Sequence, residues 1–578
     1  MSQMGNQAST VETQELAEAG VEAEAEMVAE DAAQQDAPGE TPEAQGAAIR
    51  VGRVVAVSGS QVITLLENVL HDDDDPDAPK LQIGTLVKTE TPASTVFGMV
   101  SGLSIPIPKQ DAGDTELNII EMELVGETMK DSGEAEQPFQ RGVSVFPTLG
   151  DSVYVANKVE LGRVYAPTAV DTVCIGTIHQ DEALPAYVGT DNLLGKHFAI
   201  LGTTGSGKSC AVALTLQAIL ECHQNAHILL LDPHNEYSRA FGEMAEAVSP
   251  GNLKLPYWLF TFEEITEVIL GDNFQSRTAE IGILSEAIPE AKRRFLSNSE
   301  PDAAGFVTVD TPVPYQISEL LQIIDDGMGK LDNPENSAPY LRLKSRINAL
   351  RVDSRFGFMF GGLGARDNMS EVLARLFRIP VDGRPITIVD LSGVPSETLN
   401  VVVSVLSRMM FDFAVWSDRA LPMLLVCEEA HRYVPQDTSL GFEPTKKALS
   451  RIAKEGRKYG VSLCVVSQRP SELATGILSQ CNTIFALRMS NQKDQEFVRS
   501  ALSESAMGLM EFLPSLRNAE AIAVGEGVPV PVRICFNELP EDRRPLSGTA
   551  QFSTAWQNDD EDESFIDTVV ERWRRQRR

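Results

Sequence analysis

The sequence contains few cysteines and histidines, and the cysteines are scattered. Its 578 residues include seven cysteines and seven histidines, with no C-x-x-C pair. Zinc fingers depend on paired ligands of this kind, so a zinc site is not expected. Several cysteines lie in apolar runs such as "VSLCVVSQ". This favours buried, reduced thiols in a cytoplasmic protein.

Long hydrophobic runs are also absent. No apolar run approaches the roughly 18 residues that suggest a transmembrane helix. The N-terminus has no basic region followed by an apolar block, so we expect no secretory signal. We therefore predict a cytoplasmic protein without a membrane partner.

Positive charge is scarce. Lysine and arginine number 49 against 83 acidic residues, and the net charge is −34 at pH 7. A simple basic DNA-binding module is excluded, because such domains have a pI above about 9. Residues 1–48 carry eleven acids and no lysine, arginine or aromatic residue. We expect this segment to be a disordered acidic tail.

Residues 49–180 are rich in short β-like segments. Examples are "IRVGRVVAVSGSQVITLLE", "TVFGMVSGLSIPI" and "GDSVYVANKVEL", which are broken by glycine, proline and aspartate. Several short strands separated by turn signals predict a small barrel or sandwich.

The middle of the chain alternates apolar runs with helix-like stretches. The runs are "HFAILG", "HILLLD", "ITIVDLS", "MLLVCEE", "VSLCVVSQ" and "NTIFALRM". Such strands predict an α/β fold with a parallel sheet covered on both faces. One connection is too long for a single crossover, so we assign 262–365 as a helical insertion between core segments 181–261 and 366–534. The last segment, 535–578, is expected to form an arm.

The stretch "GTTGSGKS" fits the phosphate-binding pattern G-x-x-x-x-G-K-[ST]. It follows the strand-like "HFAILG" and precedes the helix-like "CAVALTLQAILECH". Glycines let backbone N–H groups converge on phosphate oxygens, and the helix N-terminus adds partial positive charge. We predict that Lys208 reaches the β- and γ-phosphates of ATP and that Ser209 binds Mg²⁺. The predicted nucleotide-binding residues are Gly202, Thr203, Thr204, Gly205, Ser206, Gly207, Lys208, Ser209 and Cys210.

Two carboxylates, Glu428 and Glu429, end the apolar run "MLLVC". One should hold Mg²⁺ through water and the other should polarise the attacking water. Adjacent residues on a strand point to opposite sides, so the two can serve different partners. A solvent-facing acidic strand end is the alternative, but the apolar strand directs this end to the edge where ligands bind in such sheets.

Other polar residues also end predicted strands. Gln468 can sense the γ-phosphate or orient the water, and a polar strand cap is a serious alternative. Asp232 and Glu236 could support the catalytic water or a neighbouring subunit. His234 fits a hydrogen-bonding loop better than a metal site. Asp390 fits the same layer, with a structural role as an equal alternative.

A basic island, 441–460, carries six lysines and arginines against two acids. A helix would place four of them on one face: Lys447, Arg451, Lys454 and Lys458. A solvated basic face is the simplest interpretation. Ring-shaped NTPases, however, need an arginine supplied across the subunit boundary. We expect Arg457, on a different face, to supply it, with Arg451 as second choice and the lysines as contacts to DNA phosphates.

Seven motifs occur together and in order: "GTTGSGKS", "DPHNEY", "IVDLSG", "CEEAHRYVP", "EGRKYG", "SQRPSEL" and "LRMSNQKDQ". This set resembles the HerA family of FtsK-like DNA-translocating ATPases, as a bacterial member, over about 49–540. The resemblance implies a RecA-like P-loop core with a helical insertion, preceded by a β-barrel of the HerA–ATP-synthase type. It also implies a homohexamer braced by its C-terminal arms, with double-stranded DNA in the pore.

The resemblance also implies residue roles. The catalytic residues would be Glu429, the sensor Gln468, the arginine finger Arg457 and Glu428, which stands where many relatives carry Asp. Mg²⁺ would be held by Ser209 and Glu428. Asn235 stands where glycine is common, and 517–519 replaces a glycine-rich turn, so two local turns depart from the family pattern.

We therefore predict a hexameric, ATP-driven translocase or helicase of double-stranded DNA. A NurA-like nuclease would be its partner in DNA end processing or repair. One alternative is an ATPase ring that scaffolds and gates an effector nuclease in phage defence. Another is a conjugation or secretion ATPase, against which the lack of a membrane span counts.

Overall fold

The computed structural model describes most of the chain after its N-terminal tail. The described residues are 49–67, 81–105, 118–130, 137–167, 169–249, 251–271, 277–299, 305–330, 337–361, 366–502, 506–546, 552–557 and 563–574. The predicted acidic tail, 1–48, lies outside the described residues.

The first folded region is a small antiparallel barrel. Its strands are β1 (Arg50–Ser58), β2 (Gln61–Leu66), β3 (Leu86–Glu90), β4 (Ser94–Ser104), β5 (Ile119–Met129), β6 (Gln140–Arg141) and β7 (Ser152–Val155). Six of them pair in the order β2–β1–β7–β3–β4–β5, and pairing of β5 with β2 closes the barrel. Apolar side chains fill the interior: Val51, Val54, Val62, Val96, Ile120 and Met122. Of the two predicted β architectures, the barrel is confirmed.

A second sheet of eleven strands forms the centre of the protein. Its strands are β8 (Thr172–Ile178), β9 (Asp181–Gly189), β10 (His197–Leu201), β11 (Ile228–Asp232), β12 (Ala245–Val248), β13 (Ile386–Asp390), β14 (Met423–Cys427), β15 (Val461–Ser467), β16 (Cys481–Leu487), β17 (Glu520–Gly525) and β18 (Val532–Phe536). Their order across the sheet is β12–β13–β11–β14–β15–β10–β16–β17–β18–β8–β9.

The large sheet has two halves. The parallel half runs from β12 to β16 in that order, and all its pairings are parallel. The antiparallel half consists of β17, β18, β8 and β9. The six apolar runs of the sequence all form strands of the parallel half, where every residue of β10, β11 and β14 is buried. The predicted α/β fold is therefore confirmed.

Strand β8 corrects one predicted boundary. The segment 49–180 was assigned to the barrel, but β8 pairs with β18 in the large sheet. Its alternating buried and partly exposed residues resemble those of the barrel strands. Because antiparallel strands of both sheets share this alternation, the sequence pattern does not show to which sheet β8 belongs.

Helices surround the large sheet and extend away from it. In the described residues they are α1 (Lys158–Val164), α2 (Thr190–Leu194), α3 (Lys208–Cys222), α4 (Ser238–Phe241), α5 (Phe262–Leu270), α6 (Thr278–Ser299), α7 (Ile317–Gly329), α8 (Ala338–Val352), α9 (Gly357–Phe360), α10 (Met369–Phe377), α11 (Ser396–Trp416), α12 (Glu443–Tyr459), α13 (Thr475–Leu478), α14 (Gln492–Ser500), α15 (Met507–Met510), α16 (Phe552–Ala555) and α17 (Glu563–Arg574).

Helix α11 is the most apolar long helix in the described part of the chain. Its stretch Thr398–Trp416 has the length and hydropathy of a membrane span, yet most of that stretch is buried inside the protein. It packs against α12 on one side and α5 on another. These contacts are those of a core helix in a globular protein.

Helices α5 to α8 form a bundle beside the core. Helices α6, α7 and α8 pack against one another, and α5 contacts both α8 and α11. Glu264 of α5 accepts hydrogen bonds from Ser404 (2.7 Å) and Arg408 (3.0 Å) of α11. Strand β13 follows the bundle in sequence and pairs with β11, which precedes it. We therefore keep 262–365 as a proposed insertion into the core.

The barrel rests on the antiparallel half of the large sheet. The guanidinium of Arg141, in β6, donates to the carbonyl oxygens of Gly525 (2.6 Å) and Val528. The Gln180 side chain, in the β8–β9 turn, donates to the carbonyl of Gly84. These contacts join the barrel to the core away from the parallel half.

The C-terminal segment returns to the core and then exposes apolar side chains. Leu546 donates its backbone N–H to the carbonyl of Glu236 (2.8 Å). Beyond it, α17 has exposed fractions of 60% for Ile566 and 74% for Trp573. Apolar surface of this kind is typical of a segment that contacts another chain.

Candidate active site

The polar residues of the motifs meet at one edge of the parallel half. There β10, β11, β14 and β15 end at Leu201, Asp232, Cys427 and Ser467. The phosphate-binding loop follows β10, "DPHNEY" begins at the end of β11, the two glutamates follow β14, and Gln468 follows β15. In open parallel sheets, ligands bind outside these carboxyl ends.

The loop between β10 and α3 needs glycine at two positions for different reasons. Gly207 has φ +98°, a conformation that strains other residues, and it is followed directly by Lys208 at the start of α3. A Cβ at Gly202 would lie 2.7 Å from the Ser206 hydroxyl and 2.8 Å from Cβ of Leu487. The loop can therefore hold its backbone N–H groups close to a phosphate.

Side-chain hydrogen bonds hold the loop in shape. Ser206 Oγ donates to the carbonyl of Thr203 (2.7 Å), and Thr203 Oγ1 donates to that of Arg488 (2.9 Å). Thr204 Oγ1 donates to Gln468 Oε1, so the predicted sensor contacts the loop directly. The outward-facing members of the predicted set, all exposed, are Thr204, Gly205 and Cys210.

Lys208 is buried against Glu428. Its Nζ donates to Glu428 Oε1 at 2.8 Å, and Tyr237 donates its hydroxyl to Oε2 at 3.1 Å. Burial disfavours the ammonium, but Glu428 and Glu429 outweigh that cost and raise the pKa of Lys208. The lysine is thus a cation that can exchange a carboxylate for phosphate oxygens.

Glu429 occupies an unusual backbone position. Strand β14 ends at Cys427, and Glu429 has φ +52° and ψ +43°, in the left-handed region. The backbone therefore turns at Glu429, directly after Glu428. We predicted that the two side chains point to opposite sides as neighbours on a strand, and this is wrong because both residues lie beyond the end of β14. Backbone strain of this kind clusters at active sites, and this chain also shows it in turns outside the site motifs, at Asp382 and Asp418.

The Glu429 carboxyl group is buried and incompletely paired. Its Oε2 lies 3.2 Å from Nδ1 of His431 but has no hydrogen-bond partner among the described residues. His431 Nδ1 instead meets the Ser467 hydroxyl at 3.1 Å. Burial raises the pKa of Glu429 to about 7, with Lys208 lowering it and Glu428 raising it further. The group can therefore gain or lose a proton near neutral pH.

The "DPHNEY" loop brings a third carboxylate to the site. Ser209 Oγ donates to Glu236 Oε2 at 2.8 Å. Asp232 shapes the loop, because its carboxylate accepts the backbone N–H groups of His234 (3.2 Å) and Tyr237 (3.0 Å). Burial raises the pKa of Asp232 to about 6. Asp232 therefore stabilises the loop, while Glu236 contacts Ser209, the predicted Mg²⁺ ligand.

The donor set suits a hard divalent cation. Ser209, Glu428 and Glu236 offer only oxygen atoms, which are the ligands that Mg²⁺ prefers. Of the two residues predicted to hold the metal, Glu428 accepts a hydrogen bond from Lys208, and Ser209 follows Lys208 directly in α3. They fit Mg²⁺ by donor chemistry.

Asp390, at the end of β13, has a local role. Its Oδ1 accepts the backbone N–H of Ser392 at 2.9 Å, which closes the turn after the strand. This contact supports the structural alternative for Asp390.

The basic face of α12 is partly used within the chain. The Arg451 guanidinium lies 4.3 Å from the centre of the Phe411 ring and 3.5 Å from Asp412. Lys447 pairs with Glu263 at 3.7 Å. These contacts hold Arg451 on its own subunit, which weakens it as a trans-acting arginine.

The predicted arginine finger is not part of this chain's own cluster. Arg457 lies in the last turn of α12, where its side chain is exposed. Within the described part of the chain, Arg457, Lys454 and Lys458 form no ion pair or hydrogen bond. They are exposed cations whose charge is not neutralised within the described part of the chain.

Sequence reasoning missed two residues that contact the site carboxylates. Tyr237 supports Glu428, and His431 lies beside Glu429. Both belong to quoted motifs, "DPHNEY" and "CEEAHRYVP". The position of His431, two residues after Glu429, is the signal that could have found it.

The two departures from the family pattern occur at left-handed turns. Asn235 has φ +55° and Ala519 has φ +62°. Asparagine tolerates this region, whereas alanine there costs about 1–2 kcal/mol. Ala519 also donates its N–H to the carbonyl of Ser206 (3.1 Å), so the strained turn touches the phosphate-binding loop.

Comparison with protein families gives one match to the central part of the chain. A family model described as "Helicase HerA, central domain" matches residues 173–410. This range begins in β8 and ends in α11, so it contains the phosphate-binding loop and the helical bundle. The glutamates after β14 lie beyond it.

Individual proteins match over a longer range. The DNA double-strand break repair helicase HerA of Pyrococcus furiosus is 27% identical over 442 residues, which cover 70% of this chain and 75% of that protein. The protein of the same name from Sulfolobus acidocaldarius is 25% identical over 437 residues, covering 74% and 80%. Among solved structures, VirB4 of Thermoanaerobacter pseudethanolicus has a TM-score of 0.44 and 17% identity, covering 65% of this chain and 99% of that chain.

Proposed function

The chain belongs to the HerA family of P-loop ATPases, and on that premise we propose that it hydrolyses ATP to move double-stranded DNA through a hexameric ring. Support for DNA as the polymer comes from the relatives, which are named as DNA double-strand break repair helicases. Support for the chemistry comes from the edge of the parallel half.

One observation carries the proposal of ATP hydrolysis. A buried carboxylate, Glu429, lies beside the Lys208–Glu428 ion pair, and its pKa is raised to about 7. A general base works best when its pKa is near the working pH. Glu429 is thus suited to accept a proton from the attacking water, while Lys208 faces the phosphates.

Nucleotide binding requires Lys208 and Ser209 to give up their present hydrogen-bond partners. Lys208 would release Glu428 and donate to phosphate oxygens, and Ser209 would release Glu236. Ser209 and Glu428 would then hold Mg²⁺, which when bound neutralises charge on the β- and γ-phosphate oxygens. Gln468 would respond to the γ-phosphate through its contact with Thr204.

We propose a ring because the predicted arginine finger, Arg457, contacts none of the site carboxylates within the described part of its own chain. Arg457 is exposed and unpaired in the described part of the chain, as an arginine reserved for a neighbour would be. The apolar side chains of α17 would be covered by the adjacent subunit. The exposed Lys454 and Lys458 would attract DNA phosphates, so a basic pore is compatible with an acidic protein.

We also propose a nuclease of the NurA type as partner, in the cytoplasm. The support is indirect: the named relatives act in double-strand break repair, which requires processing of DNA ends. With α11 buried in the core, no membrane partner is proposed.

Displacement of a third strand tests the DNA step. The protein is incubated with a duplex that carries a triplex-forming oligonucleotide, and its release is followed with and without ATP. We expect ATP-dependent release by the wild type and none by Glu429→Gln, although that variant still binds ATP. Release at the same rate without ATP, or by Glu429→Gln, would contradict translocation.

A further inference from the structure

Three side chains with different donor atoms meet on the antiparallel half of the large sheet, outside the carboxylate cluster of the nucleotide site. His179 lies in the turn between β8 and β9, Glu520 begins β17, and Cys535 lies in β18. Glu520 and Cys535 are direct cross-strand partners, and β18 pairs with β8 next to the turn. The sheet register therefore brings together residues that are far apart in sequence.

The distances between these donors resemble the edges of a metal polyhedron. Cys535 Sγ lies 3.8 Å from His179 Nδ1 and 3.9 Å from Glu520 Oε1, and Nδ1 lies 3.6 Å from Oε1. A tetrahedral zinc ion with Zn–S of about 2.3 Å and Zn–N or Zn–O of about 2.0–2.2 Å spaces its ligands about 3.4–3.6 Å apart. Movements of a few tenths of an ångström would complete the site.

We propose that His179, Glu520 and Cys535 bind a divalent transition-metal ion of the zinc class. A thiolate and an imidazole select zinc-like ions over Mg²⁺, which prefers oxygen ligands. Three protein ligands leave a fourth position, and the His179 side chain, 39% exposed, places that position at the surface. Water would complete the coordination there.

The surroundings of Glu520 support a ligand role. Its Oε2 accepts the Arg533 guanidinium (2.7 Å) and the backbone N–H of Arg517 (2.8 Å), and Oε1 lies nearest His179 and Cys535. Metal ligands are commonly oriented by such outer partners. The Cys535 thiol lies within hydrogen-bonding distance, for sulfur, of both Glu520 and His179, and a thiol is only a weak donor.

The site would tie two hairpins together beneath the phosphate-binding loop. Ala519, the residue before Glu520, contacts Ser206 of that loop, and Phe536, after Cys535, donates its N–H to the carbonyl of Ala519 at 2.8 Å. A bound ion would therefore stabilise the β17–β18 hairpin against the β8–β9 turn.

Cobalt binding to the full-length protein tests the site directly. Metal-free protein is titrated with Co²⁺ in excess Mg²⁺, which occupies oxygen-only sites. We expect one equivalent of Co²⁺ with a thiolate-to-cobalt charge-transfer band, and at least about tenfold weaker binding in His179→Gln. Cys535→Ser should lose the band, whereas Cys174→Ser, at an exposed cysteine of β8, should keep it. A wild type without the band, or its survival in Cys535→Ser, would overturn the proposal.

Thermal unfolding gives a second measurement that does not depend on ATP or DNA. Zn²⁺ should raise the Tm of the wild type and of Cys174→Ser, but not that of His179→Gln, whose substitution lies in an exposed turn. An equal increase in all three proteins would show that zinc acts elsewhere and would contradict the site.

Discussion

The two halves of the large sheet bring polar residues together in different ways. In the parallel half every strand ends at the same edge, so Asp232, Glu428 and Gln468 meet although long segments separate them. In the antiparallel half the strand ends alternate, and Glu520 meets Cys535 only as its cross-strand partner. Sequence motifs at strand ends therefore reveal a site in the parallel half. A site in the antiparallel half is revealed only by knowing which residues of two strands are paired.

The two halves also differ in the kind of ligand that their side chains suit. The parallel half holds a dense cluster of buried charge, in which Glu429 has an unpaired oxygen and Lys208 holds a carboxylate where a phosphate would bind. The antiparallel half holds three neutral or singly charged donors at metal-like spacing. The first suits a polyanionic nucleotide, and the second suits a small cation.

The largest expected effect tests whether the ATPase site at the edge of the parallel half needs a residue from a second subunit. Arg457→Ala should lower ATP turnover by about 10³–10⁵-fold, because an arginine supplied in trans stabilises transition-state charge. With turnover measured in the absence of DNA, Lys458→Ala is the matched control, because it removes an exposed neighbouring cation and should stay near wild type. Mixing Arg457→Ala subunits with Lys208→Ala subunits should restore part of the turnover. No recovery in assemblies shown to be mixed would count against a trans arginine.

The next effect concerns Glu429 alone. Glu429→Gln should reduce ATP turnover by about 10²–10⁴-fold while ATP binding remains, because the amide cannot accept the proton from water. Lys208→Ala should instead lose ATP binding. The measurements are steady-state turnover and equilibrium binding of labelled ATP. ATP turnover by Glu429→Gln at the wild-type rate would show that Glu429 is not the general base.

A smaller effect is expected in the free energy of unfolding of Glu429→Gln, and it depends on pH. The pKa of Glu429 is raised from 4.5 to about 7, so its buried carboxylate destabilises the folded protein above pH 7 and not below about pH 4.5. At pH 8 this penalty approaches about 3 kcal/mol. Glu429→Gln should therefore unfold at higher urea than wild type at pH 8, with the difference shrinking towards pH 5.

The exposed Glu243 provides the control for that experiment. Glu243→Gln should leave the unfolding midpoint close to that of wild type at both pH values, since its side chain lies on the surface. If Glu429→Gln were destabilising at pH 8, or if its effect did not change with pH, the burial penalty would be refuted.

The smallest effect lies in the antiparallel half. Ala519→Gly should raise the free energy of unfolding by about 1 kcal/mol, because glycine adopts the left-handed turn without the strain of a Cβ. Ala521→Gly, two residues away in β17, should instead lower it by about 0.5–1 kcal/mol. Chemical unfolding of both variants compares them. A destabilising Ala519→Gly would mean that its methyl group contributes more than the strain costs.

Much of the fold could be predicted from the sequence, because the strands of the parallel half are short, fully apolar runs. The parallel half and the α/β class follow from these runs, and short segments broken by turn residues predicted a barrel or a sandwich. Strands β9, β12 and β17 were not predicted, and β8 was placed in the barrel. Pairing partners in an antiparallel sheet depend on long-range register, which a single sequence does not reveal.

The candidate site was predictable only where its residues form contiguous motifs. The phosphate-binding loop and the two glutamates are of this kind. The left-handed turn at Glu429 and the supporting hydroxyl of Tyr237 required the structure. The convergence of His179 and Cys535 runs against the expectation of no zinc site, because linear spacing misses ligands that sheet pairing assembles.

The rate of ATP hydrolysis with and without long duplex DNA, measured on protein of known oligomeric state, is the most direct test of a DNA-driven ATPase ring. We predict a hexamer whose turnover increases on adding duplex DNA and falls again at high salt. A stable monomer whose turnover is unchanged by DNA would contradict it.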